Sequence, residues 1–203
     1  FHKDFGPKPT VLVGADGIVP LKYAKKGQCK KGDLFISFGG KTGKDGIHGA
    51  TFSSAEMTEK TANLNSGAVQ IGNPIEEKRT FDCLLELRDM DIFTALTDCG
   101  AGGYSSAVGE MGEKTGAVVH LDKIPLKYPG LSSFEKWISE SQERMVATVP
   151  KEHLPKIEKV CRKYNVDWFV LGEATDTRRL TIYDGDELVC DLDMDFLHDG
   201  QPL

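Results

Sequence analysis

Short runs of apolar and β-branched residues recur along the chain, each bounded by polar or glycine-bearing segments. They fall at 10–14 (TVLVG), 33–38 (DLFISF), 68–72, 92–97, 117–121, 145–149 and 167–171, with a last pair at 179–183 and 187–192. This spacing predicts strands, and Asp184-Gly185-Asp186 between the last two predicts a hairpin. A helical period takes over in between. Asn73-Pro74-Ile75-Glu76 supplies an Asn N-cap with Pro at N1, and Phe81, Leu84, Leu85 and Arg88 follow at spacings of three and four. Leu84 and Leu85 read as core. Ser132-Ser133-Phe134-Glu135 is a capping box that opens a short helix, and 151–164 places Leu154, Ile157, Val160 and Cys161 on one face. The end of the chain is thus a βαββ pattern. Strands separated by single helices predict a mixed α/β layered domain.

Residues 92–114 combine these elements. The run Ile92–Thr97 predicts a buried strand, Asp98 stands at its end, and Gly100, Gly102 and Gly103 follow before a helix start at Ser105-Ser106-Ala107-Val108. Two readings of Asp98 stand side by side. It caps the helix, or its carboxylate holds a hard cation beside a glycine turn whose N–H groups attract anions. Residues 139–145 add Glu140, Ser141 and Gln142 between a helix and a strand. That trio is either an exposed turn or a shelf of short polar groups for a ligand.

Composition narrows the classes. Across 203 residues, 28% are charged, 39% are hydrophobic and the net charge is −6, which suits a globular protein and argues against a nucleic-acid or membrane-surface protein. No apolar run reaches the length of a membrane span. The five cysteines show neither a disulfide framework nor CxxC spacing, which fits a reducing cytoplasm. The lysine-rich span 22–32 predicts a solvated hairpin or edge. The glycine-rich run 39–49 fails as a phosphate loop, because three residues separate Gly39 from Gly43-Lys44 and Asp45 stands where Ser or Thr is needed. The chain opens Phe1-His2-Lys3, as a piece of a longer polypeptide would.

The segments GGKTGKDGIHGATF (39–52), VQIGNPIEEK (69–78), DCGAGGYSSAVGEM (98–111), SESQERM (139–145) and LGEATD (171–176) occur in one order. Together they resemble the synthetase subunits of the phosphoribosylformylglycinamidine synthase family, in the aminoimidazole ribonucleotide synthetase superfamily. Within those subunits the likeness is to the C-terminal domain of the first half, over nearly all of residues 20–185. The resemblance implies a three-layer α/β/α domain with a mixed sheet, partly ferredoxin-like, with 1–19 as a lead-in, 20–192 as core and 1–203 as one domain. It implies part of an ATP-dependent ligase of purine biosynthesis, in which ATP activates the amide oxygen of formylglycinamide ribonucleotide (FGAR) and ammonia from a glutaminase partner displaces the phosphoryl group. Carried over by motif, Gln70, Glu140, Ser141 and Gln142 would bind substrate and Asp98 would bind Mg²⁺. Asn73 and Cys99 depart from the common Asp and Met. The family's catalytic histidine, ATP-binding residues and further metal ligands belong to a preceding domain, so the resemblance implies no catalytic residue here and no turnover by the fragment alone. A sister synthetase or kinase of the superfamily, or a binding module of the same fold without chemistry, are the alternative readings.

Overall fold

A computed structural model describes residues 12, 14, 16–24, 27–47 and 72–200. The strands expected over 10–14 and 68–72 therefore lie outside the described residues, save for Leu12, Gly14 and Gly72, which are in no strand. Among the described residues, seven strands form one sheet: β1 Leu34–Gly39, β2 Ala95–Asp98, β3 Ala117–His120, β4 Arg144–Val149, β5 Trp168–Ala174, β6 Arg179–Asp184 and β7 Glu187–Asp193. Their order is β2-β4-β1-β5-β3-β6-β7. Neighbours run antiparallel except β3 and β6, so the sheet is mixed.

Among the described residues, five α-helices cover the sheet: α1 Pro74–Asp89, α2 Gly103–Gly112, α3 Ser133–Ile138, α4 Leu154–Tyr164 and α5 Met194–Asp199. α1 and α4 pack on one face through Cys83, Leu87, Ile157 and Val160 against Ile36, Phe38 and Val149. α2, α3 and α5 occupy the other face, with Tyr104, Val108, Trp137 and Met194 against Phe35, Val119 and Leu171. This is a three-layer α/β/α arrangement. With helices on both sides, the central strand β1 is buried along its whole length, which explains its continuous apolar run. The strands β1 and β2, joined through α1, flank β4, and β4 and β5, joined through α4, flank β1. Two interlocked split βαβ units of this kind make the ferredoxin-like portion. No helix among the described residues is long and apolar enough to cross a membrane.

Local chemistry sets the helix ends. The Asn73 side chain accepts from the amides of Ile75 and Glu76, with Pro74 behind it. Ser132 and Glu135 form a complete capping box. Three expectations need correction. The strand after α1 starts at Ala95, not Ile92, because Ile92 turns into the α1–α4 core first; as the sheet's edge it leaves Leu96 exposed. On α1, Cys83, Leu84 and Leu87 form the buried face, while Leu85 is half-buried and Phe81 is exposed. Nor is the described part of the lysine-rich span a hairpin: it takes the end of a 3-10 turn, Leu21–Tyr23, then irregular chain and a turn at 31–32 that leads into β1. All five cysteines are free thiols, and Cys83 and Cys161 meet at 3.6 Å between α1 and α4. Leu87 is fully buried in this layer. Leu87→Ala should destabilise the fold by about 2–5 kcal/mol, lowering the denaturant midpoint at unchanged m value. A loss under about 1 kcal/mol would mean that the α1–α4 layer does not pack as described.

Candidate functional site

At one end of the sheet, three segments distant in sequence meet: the glycine loop after β1, the glycine turn after β2, and residues 139–143 ahead of β4. Antiparallel pairing brings them together, since Gly39 lies opposite Arg144 and Asp98 opposite Met145. The trio Glu140–Gln142 therefore sits at the N-terminal end of its own strand, beside the C-terminal ends of β1 and β2.

Glycine is required at both close approaches. Gly39 (φ +95°) would press a Cβ onto the Glu143 carbonyl oxygen, and Gly103 (φ +55°) would press one onto that of Ser139. Gly103→Ala should cost more than about 2 kcal/mol, read as a fall in melting temperature. An unchanged melting temperature would show that the turn and the 139–143 shelf are not packed this way.

The shelf is held by a dense polar network. The Ser141 Oγ accepts from the Gly43 amide at 2.8 Å and donates to the Asp45 carboxylate, which also pairs with Lys127 at 2.8 Å. Ser139 Oγ donates to the Gly43 carbonyl at 2.6 Å. The Glu140 amide donates to the Asp45 carbonyl at 2.8 Å, and its carboxylate accepts from the Gly102 amide at 3.0 Å. That contact places the chain's own carboxylate on the glycine turn, where the sequence leaves a site for an anion. Loop residues 39–46 thus shape the shelf, while 48–52 lie outside the described residues.

Beside the shelf runs a groove of about 410 Å³ whose walls include Glu77, Thr80, Asp98, Gln142, Glu143 and Arg144. The Asp98 side chain is exposed and forms no hydrogen bond or ion pair among the described residues. It does not cap α2, whose N-cap is Gly102 and which has no side-chain cap bond. The capping reading is therefore excluded. Cys99, next to it, is buried, and burial pushes its thiol up to about 12, which removes it as a nucleophile at neutral pH. The Thr80 hydroxyl is buried on the groove wall with no hydrogen-bond partner among the described residues. The structure thus brings Asp98 and Gln142 into one groove. It turns the Glu140 and Ser141 side chains toward the chain itself, and Gln70 lies outside the described residues. Thr80, Glu143 and Arg144 escape the sequence reading. The signal for Arg144 is its place at the head of a strand, in step with buried Val146. A larger cavity, about 720 Å³ and lined in part by Val118, His120 and Lys123, contains neither Asp98 nor the shelf.

Comparison with known proteins places the chain in a family. The model of the AIR synthase related protein, C-terminal domain, matches residues 30–185. The chain belongs to this family. Among curated relatives, phosphoribosylformylglycinamidine synthase subunit PurL of Picrophilus torridus is 39% identical over 200 residues, 97% of this chain and 27% of the relative. PurL of Thermoplasma acidophilum is also 39% identical, over 98% of this chain and 27% of that one. The chain spans about a quarter of the length of these relatives. A solved structure of Thermotoga maritima PurL complexed with FGAR superposes with a TM-score of 0.75 at 31% identity, covering 85% of this chain and 29% of that one. Escherichia coli HypE, at 18% identity, a TM-score of 0.58, and 82% and 51% coverage, shares the fold alone.

Proposed function

We propose that this family member is one domain of a phosphoribosylformylglycinamidine synthase, and that its groove forms part of the site for FGAR. The observation that carries the reading is the meeting of Asp98 and Gln142 in one groove on a scaffold similar to PurL. In the reaction, ATP phosphorylates the amide oxygen of FGAR and ammonia displaces the phosphate to give the amidine. The Gln142 amide, able to donate and accept, orients the substrate, as does Gln70. Glu140 and Ser141 act here by fixing the shelf that presents Gln142. The unpartnered Thr80 hydroxyl offers one further hydrogen bond on the same wall.

Asp98 is the residue that would hold Mg²⁺. Its carboxylate is open on the groove, and no group of three His, Cys, Asp or Glu among the described residues could hold a metal. One protein oxygen, with phosphate oxygens and water completing the shell, is a common arrangement for this ion. Bound there, the cation would neutralise charge on the transferring phosphate. ATP binding, the reacting base and the ammonia supply fall to the rest of the parent protein and a glutaminase partner, in the cytoplasm. A structure bearing the name PurLQS is known from Thermotoga maritima.

The experiment is turnover by the parent polypeptide supplied with ATP, Mg²⁺, ammonium and FGAR. The expected result is FGAR-dependent release of ADP matched by amidine formation. A parent that spends ATP on selenide or on thiamine phosphate, and none on FGAR, would assign the chain to a sister activity.

A further inference from the structure

Arg144 opens a strand that runs straight into the core, and it is 3% exposed. Each of its guanidinium nitrogens donates to a different point: Nε to the Ser141 carbonyl at 2.9 Å, Nη1 to Thr42 Oγ1 at 2.9 Å, and Nη2 to the Ser139 carbonyl. Its plane lies 4.5 Å from the centre of the Tyr104 ring, and the Tyr104 hydroxyl bonds Ser37 at 2.9 Å. Burial pushes the Tyr104 phenol up, against the opposing charge of Arg144, so the ring stays neutral and suits a cation. No carboxylate among the described residues forms an ion pair with Arg144.

A buried cation without an ion pair costs stability that an apolar chain of similar length would not. What the guanidinium supplies in return is a planar fork with fixed angles between its donors. Here the fork grips both carbonyls that bracket Glu140, at Ser139 and Ser141, whose residues are 0% and 1% exposed. Its third arm reaches Thr42, which the Pro125 carbonyl and Lys127 amide hold in place at 2.9 Å each. The shelf is thereby tied to the 42–46 loop and to the segment at 125–127.

We propose that Arg144 is a positioning residue for the groove: its guanidinium sets the 139–142 backbone, and through it the direction from which Gln142 meets the substrate. The proposal rests on the function given above. Lysine at this position keeps the charge but places all its donors on one nitrogen, without the planar fork that spans three separated acceptors, so the shelf carbonyls would lose their shared anchor.

The test uses the full-length parent with FGAR, ATP, Mg²⁺ and ammonium. Arg144→Lys should raise KM for FGAR on the order of tenfold, while KM for ATP stays within about twofold. Thr42→Val, which removes one acceptor at nearly constant shape, should raise KM for FGAR about threefold and lower the melting temperature by a few degrees, because one buried guanidinium N–H is left unpaired. Arg179→Lys, on the distant β6–β7 ribbon, serves as the control. If wild-type parent does not use FGAR, the proposed function fails before the Arg144 role is reached. If wild type does use it and both variants keep KM for FGAR within about twofold, the positioning role is overturned, even where the melting temperature falls. Should Arg144→Lys not fold, Thr42→Val alone decides by the same criterion.

Discussion

The chain alone, given ATP, FGAR, Mg²⁺ and ammonium, should form no amidine and release no FGAR-dependent phosphate. The groove presents Asp98, Gln142, Glu143, Glu77 and a buried hydroxyl, while its thiol Cys99 is held protonated by burial. No two of these groups form a positioned base and nucleophile pair among the described residues, and the relatives that carry the synthase name are nearly four times as long. Phosphoryl transfer depends almost wholly on positioning and charge neutralisation. On the proposed function the chain holds only part of the site, without the nucleotide cradle, so the expected loss relative to the parent is complete within detection. Substrate-dependent phosphate release by the purified chain, proportional to its concentration and retained through a second purification, would show that the reaction needs less of the parent than proposed.

Asp98→Asn in the full-length parent is the second large effect. The substitution is nearly isosteric, and the Asp98 side chain bonds nothing among the described residues that an amide would forfeit, so stability should stay within about 0.5 kcal/mol of wild type. Asn is a far poorer ligand than carboxylate for a hard cation. Turnover should therefore fall by on the order of tenfold or more at low Mg²⁺ and recover in part as Mg²⁺ is raised. The stability arm and the Mg²⁺ arm are read on one preparation. Wild-type turnover at every Mg²⁺ concentration would remove Asp98 from cation binding, and a large fall in melting temperature would assign it a structural role that its surroundings do not show.

Much of the fold is local and could be read from the chain. Asn73-Pro74, the Ser132–Glu135 box and the βαββ end all form as their residues dictate. What escaped the reading depends on partners far away in sequence. Nothing near Ser141 says that its hydroxyl meets Gly43, 98 residues earlier, or that the Glu140 carboxylate closes the turn at Gly102. The same holds for Ile92, which looks like strand until α1 and α4 draw it into their core. Motifs marked where the polar residues gather; only the sheet order decides which of them open on the groove. Gln142 does, whereas Glu140 and Ser141 turn inward to build the shelf.

The central claim is that the groove beside the shelf receives FGAR, and the most direct measurement is a backbone NMR titration of the chain with FGAR. Shifts are predicted for Asp98–Gly103, Glu140–Glu143 and Thr80, with Gln70 affected as well. Saturable shifts confined to Val118, His120 and Lys123, at the larger cavity, with the shelf unmoved, would contradict it.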